Sequence, residues 1–186
     1  KYMGRPSSKQ DILYLFYNQP TRQWRFCDIV KAVGIAENKV SRWLKLFIEQ
    51  KIIIKHLGEK PYYVANYTGC EYKVAKRIYA INILQNSGLL DYLTSQDATI
   101  ILFGSFARGD WHQQSDIDLF VLGKKIQVTN FELVLGRNIQ IFHYKNVQNL
   151  EKISKDLLLS VIKGIIITGS IDFIEVNINE AGISNM

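Results

Sequence analysis

Residues 101–123 read ILFGSFARGDWHQQSDIDLFVLG, and the reading of the whole chain depends on them. An apolar run ending at Leu102-Phe103 stops at Gly104-Ser105. Ten residues later comes Asp116, with Asp118 two positions on, and then a second apolar run, Leu119 to Leu122. The pattern predicts strand, tight turn, short helix, loop and strand. Both aspartates fall at the start of the second strand, where residues two apart share a face. Two carboxylates held side by side repel each other, and an oxygen-seeking divalent ion such as Mg²⁺ is their natural occupant. Gly104 lets a ligand approach the backbone closely, and the amides opening a helix at Ser105 suit an anion. A turn for phosphates facing a pair of metal carboxylates describes a site for a metal-bound nucleoside triphosphate. Solvated strand-edge carboxylates beside an ordinary turn glycine would need several features to coincide by chance.

Gly-Ser, ten residues, then Asp-x-Asp resembles the signature of the DNA polymerase beta nucleotidyltransferase superfamily. GSFARGD followed by SDIDL is similar to its small prokaryotic members, the minimal nucleotidyltransferases, which include the antitoxin partners of HEPN-type toxins. The resemblance is close from Thr99 to Gly123 and loose as far as Gly169. It implies a small α+β domain with a mixed sheet. It implies that Asp116 and Asp118 are catalytic and hold Mg²⁺ (or Mn²⁺). Gly104, Ser105, Arg108 and Ser115 would hold the nucleoside triphosphate, such as ATP. The implied reaction transfers a nucleotide, AMP for example, to a hydroxyl on a protein or small molecule, with a protein acceptor or toxin-like partner. An ion pair within the domain is an equal alternative for Arg108, and a local cap of the aspartate strand is the first reading of Ser115.

The family pattern carries a third carboxylate on the next strand, within Gly-Arg-x-apolar-Asp-apolar. This chain reads Gly136-Arg137-Asn138-Ile139-Gln140-Ile141, so Gln140 stands where the aspartate is expected. A neutral amide binds Mg²⁺ far less strongly than a carboxylate and cannot serve as a general base. Glu132 is the nearest other carboxylate. His143, three residues from Gln140, turns to the opposite face of a strand. Two functions follow: a Mg²⁺-dependent transferase, or a DNA-binding regulator whose degenerate transferase domain senses a nucleotide or docks a partner.

The chain has 186 residues and a net charge of +6. Residues 1–95 hold fifteen basic against seven acidic side chains, a balance of +8, while residues 96–186 balance at −2. The asymmetry points the first half towards a polyanion. The two cysteines, Cys27 and Cys70, lack metal-ligand spacing and read as reduced thiols. With no signal peptide visible and no apolar run near the ~20 residues that span a bilayer, the expectation is a cytoplasmic protein without membrane contact.

The basic half predicts three helices and a hairpin. The first helix starts at Ser7-Ser8 and ends before Pro20. The second covers Phe26 to Val33 and is closed by Gly34. The third covers Ala36 to Gln50, with Val40, Leu44 and Phe47 facing a core. A β-branched strand at Ile52–Ile54 is joined through Gly58 and Pro61 to a second at Tyr62–Ala65. Residues 8–66 resemble a winged helix-turn-helix. That resemblance implies duplex DNA contacted by Asn38, Lys39, Arg42 and Lys45 on the third helix, with Lys55, His56 and Lys60 on the wing touching phosphates. The alternative is a solvated basic surface, or a wing that docks a protein.

The expected division is therefore a winged helix-turn-helix over 1–70, a connecting helix within 71–97, and a minimal nucleotidyltransferase domain over 98–186. The connecting helix, Tyr72 to Leu84, is expected to present Val74, Ile78 and Ile81 on its apolar side, with Leu84 as a further candidate. After the central stretch a helix is expected at Phe131–Leu135, stopped by Gly136, and a strand at Asn138–Tyr144. One amphipathic helix is expected to carry Leu150, Ile153, Leu157 and Val161. Ile165–Ile167 reads as a short strand or a buried helix end.

Overall fold

The computed structural model describes residues 8–172. They fall into two compact units. The first is 8–79 together with Gly109–Gln114, and the second is Ala80–Arg108 together with 115–172.

In the first unit α1 (Ser8–Asn18), α2 (Phe26–Val33) and α3 (Glu37–Glu49) precede an antiparallel pair, β1 (Ile53–His56) and β2 (Tyr62–Ala65). Gly34 ends α2 in the left-handed conformation (φ 65°), and its N–H bonds Val30 O. That conformation costs a glycine little. One isolated bridge joins β2: Trp24 exchanges both backbone hydrogen bonds with Tyr63, at 2.9 and 2.8 Å. The core is Ile12, Phe16, Ile29, Val40, Leu44, Phe47 and Ile53, all essentially inaccessible. Burying a side chain of this size stabilises by about 1.5–3 kcal/mol, so the three inward positions of α3 alone fix its orientation.

The helix α4 (Cys70–Asn86) follows, and the boundary between the units falls after Tyr79. Its expected apolar side is corrected at Val74 and Ile78, while Leu84 is buried as the sequence suggested. Val74 and Ile78 are 47% and 58% exposed, whereas Tyr72, Lys76, Ala80 and Leu84 are buried. The buried stripe thus runs at four-residue spacing through a lysine. Lys76 is accommodated because its Nζ donates to Trp111 O and to Tyr72 Oη (3.3 Å) and lies over the rings of Tyr72 and Trp111. A hydrophobicity pattern assigns such a lysine to solvent.

The second unit continues with α5 (Leu89–Thr94), β3 (Ala98–Phe103), α6 (Gly104–Arg108), β4 (Ile117–Gly123), α7 (Thr129–Leu135), β5 (Ile139–Tyr144), α8 (Lys155–Ile162) and β6 (Ile165–Thr168). The sheet order is β5-β4-β3-β6. β3 pairs antiparallel with β4 and with β6, and β4 pairs parallel with β5. The sheet is mixed, as expected. On one face Ile101, Phe103 and Phe120 pack with Leu150 and Val161 and with the partly buried Phe142, Tyr144 and Leu157.

The single amphipathic helix expected after β5 is in fact two pieces. A 3-10 helix covers Val147–Lys152, Ile153 is extended, and α8 starts after Ser154. Ser154 Oγ accepts from Leu157 N at 3.2 Å, a side-chain cap that restarts the helix. Leu150 and Val161 still reach one core, because the break keeps both pieces on the same sheet face. Ile165–Thr168 is a strand, which settles the choice left open by sequence. Residues 173–186, most of the C-terminal stretch, lie outside the described residues.

Candidate functional site

The antiparallel register puts Phe103 opposite Asp118, so the residue after β3, Gly104, meets the aspartate across the strand pair. Gly104 has φ 68°, and a Cβ there would overlap Asp118 Oδ2 and stand 2.9 Å from its Cγ. Conformation and space both demand glycine. Ser105 follows, half-buried, in α6. This helix has only five residues. The N–H groups that open a helix lack partners within it, which suits the turn at Gly104-Ser105 to an anion.

Asp118 is half-buried and Asp116 exposed. Burial raises the Asp118 carboxyl above its ordinary range, and the charge of Asp116 raises it further. Arg108 acts in the opposite direction, which places its guanidinium within electrostatic reach of Asp118. A cation between the carboxylates would relieve both penalties. Asp116 and Asp118 are the two carboxylates here that could hold such an ion. Among the described residues no group of three His, Cys, Asp or Glu side chains converges as a metal site.

Gln140 is the parallel-register partner of Asp118, exposed and on the same sheet face. The position read from sequence as that of the missing carboxylate is thus beside Asp118 in space. Glu132 does not replace it. Its Oε1 accepts from Ile139 N at 2.8 Å, so it braces the turn from α7 into β5. His143 pairs in register with Val121, on the opposite face, and its Nε2 is 2.9 Å from Gly123 O.

One residue with a part in this geometry escaped the sequence reading. Arg137 Nη1 donates to Ser115 O at 3.0 Å, and its guanidinium lies 5.3 Å from the centre of the Phe106 ring. The next bond along, Ile117 N to Asn138 O at 3.0 Å, holds the other side of Asp116. Asp116 therefore sits between two backbone positions fixed from the β5 side. Ser115 contributes its carbonyl to this brace. A basic residue at the head of a strand gives no signal in sequence that its target is a carbonyl 22 residues earlier. Arg137→Leu should keep the fold yet weaken Mn²⁺ binding about ten- to hundredfold, the usual effect of losing a group that orients metal ligands. Metal titration by calorimetry with a parallel melting curve checks this.

In the first unit, Asn38, Lys39, Arg42 and Lys45 are all exposed on α3, opposite its buried Val40, Leu44 and Phe47. Asn38, Arg42 and Lys45 follow i, i+4, i+7 and share one face. Lys55 on β1, with Nζ 5.7 Å from the Tyr63 ring centre, and Lys60 in the turn between the strands are also exposed. His56 stacks on Tyr62 at 4.7 Å. Cys27 and Cys70 are exposed free thiols. No helix of the described residues is long and apolar enough to cross a membrane.

A mixed sheet thus seats a glycine turn against Asp118, with Asp116 two residues before it. Residues 87–178 match the family model of the nucleotidyltransferase domain. Among curated proteins nothing matches the chain.

Proposed function

We propose that the protein binds duplex DNA through its first unit and a divalent-ion-bound nucleoside triphosphate through its second, with nucleotide transfer slow or absent. The observation that carries this reading is Gln140 in register with Asp118, where a third carboxylate would complete a two-metal site. Gly104 and Ser105 receive the phosphates, and Arg108 offsets their charge. Asp116 and Asp118 hold one Mg²⁺ or Mn²⁺. When bound, such an ion neutralises phosphate charge and, in a complete site, activates the attacking hydroxyl. Gln140 can donate or accept a hydrogen bond but cannot take a proton from that hydroxyl. The chain thus retains groups for binding and lacks, at the expected position, the group for deprotonation.

The second reading is a working transferase, which moves a nucleotide such as AMP to a hydroxyl of a protein or small molecule. The intact Asp116/Asp118 pair favours it. In that case a partner of the toxin type is a candidate acceptor, and the proton acceptor comes from the substrate or partner. Labelled-nucleotide transfer by the native protein separates the two readings.

The DNA reading rests on three helices, a Trp24–Tyr63 bridge and a β1–β2 wing, which together have the plan of a winged helix-turn-helix, and on a basic outward face of α3. Arg42 reaches a base edge or phosphate, and Lys55 and Lys60 reach phosphates. Affinity should fall steeply as salt rises, because bound cations displace counterions. Arg42→Ala should cost about 1–3 kcal/mol if Arg42 reads a base. Fluorescence anisotropy with pooled genomic duplexes is the measurement. No binding at low salt would leave protein docking as the role of this unit.

A further inference from the structure

The ten residues between Gly104-Ser105 and Asp116 are not packed as one segment. Gly109–Gln114 belongs to the first unit, while the residues on either side of it in sequence belong to the second. Trp111 is the anchor. It is wholly buried, stacked at 18° on Tyr79 with centroids 6.2 Å apart and edge-on to Tyr17 at 6.1 Å. Lys76 Nζ lies 4.6 Å from its ring centre and also bonds its carbonyl. Gly109, at φ 77°, lies so close to α4 that a Cβ would be 2.8 Å from Lys73 O. Gln113 N donates to Asn18 O at 3.0 Å. Only Gln114 and Ser115 separate that last bond from Asp116.

Nothing in the handling of phosphate or metal calls for an indole at this position. Its seat is made by α1 and α4, the helices of the unit we assign to DNA. We propose that Trp111 is a positioning residue for Asp116: seated among Tyr17, Lys76 and Tyr79, it holds the segment that leads into the aspartate strand. Three Cα–Cα steps, about 11 Å at most, join Gln113 to Asp116, so the seat of Trp111 fixes one end of a short segment whose other end the Arg137–Ser115 bond holds.

This inference rests on the nucleotide-binding reading above, and the test keeps the two apart. The probe is Mg²⁺ with a non-hydrolysable ATP analogue, titrated into the full chain by calorimetry. Trp111→Ala should weaken binding about tenfold or more, as expected for loss of a group that orients metal ligands. Trp111→Phe, which keeps a flat ring on Tyr79, should restore most of it. A two-glycine insertion after Gln114 leaves Trp111 seated and slackens only the tether, and it should give the same loss as Trp111→Ala. A merely structural role for the indole predicts native affinity in the insertion variant, and that result overturns the proposal, including where Trp111→Ala fails to fold. If the native protein does not bind the probe, the nucleotide reading fails by itself. Amide exchange then decides the positioning. Exchange at Ile117 accelerated in Trp111→Ala but not in Trp111→Phe supports it, and equal exchange in both overturns it.

Discussion

Asp116→Asn combined with Asp118→Asn should remove divalent-dependent nucleoside triphosphate binding, with a loss beyond about a hundredfold, since losing outer-shell partners alone costs ten- to hundredfold. Calorimetry with and without Mg²⁺ measures it. The same variant carries a second signature, in stability. The Asp118 carboxyl is raised above its ordinary 3.8 by burial and by Asp116. The folded state therefore holds that proton more tightly than the unfolded state. Its contribution to stability falls as pH rises from the ordinary value through the raised one, and stays at its lowest above it. At neutral pH the metal-free native protein bears this penalty, and asparagine at 118 does not. The double variant should melt higher than the native protein without metal at pH 7, with the difference vanishing towards acid. Adding Mg²⁺ should raise the melting temperature of the native protein only, because a ligand stabilises the state that binds it. Undiminished nucleotide affinity in the double variant would remove the two carboxylates from the site.

The central stretch was legible because everything it needs is local. Apolar runs, a glycine and two aspartates at fixed spacing specify strand, turn and strand, and antiparallel pairing then brings Gly104 to Asp118. The position of Gln140 was legible for a similar reason. Gly136 stops α7, and the alternation of Ile139, Ile141 and His143 leaves Gln140 on the face of Asp118. What escaped depends on contacts between distant residues that show no periodicity. Lys76 is buried because Trp111, 35 positions later, supplies its carbonyl and its ring face. No local rule places a lysine in a core stripe, so Val74 and Ile78 were read as the inward side instead. Trp111 read as part of a loop, since the aromatic seat that claims it is built from α1 and α4. The break at Ile153–Ser154 was hidden because Leu150, Ile153, Leu157 and Val161 keep helical spacing across it, and only the serine cap betrays the interruption.

Gln140→Asp should convert the site from one good metal position towards two. The substitution places a carboxylate beside Asp118 on the neighbouring parallel strand, at an exposed position where a shorter acidic side chain meets no packing constraint. Three neighbouring carboxylates attract divalent ions more strongly than two, so Mn²⁺ affinity should rise about tenfold or more, given the strength of charged over neutral oxygen ligands. The cost appears when the metal is absent. A third negative charge raises the Asp118 carboxyl further and lowers stability at neutral pH through like-charge repulsion. Metal-free Gln140→Asp should therefore melt below the native protein at pH 7, and saturating Mn²⁺ should reverse the order. The chemical consequence separates the two functional readings. If transfer is slow because no carboxylate stands at 140, the variant should gain measurable transfer of label from a nucleoside triphosphate to an acceptor hydroxyl. Native protein that already transfers efficiently, unchanged by Gln140→Asp, would show that the proton acceptor comes from elsewhere, and the degenerate-regulator reading would lose its support.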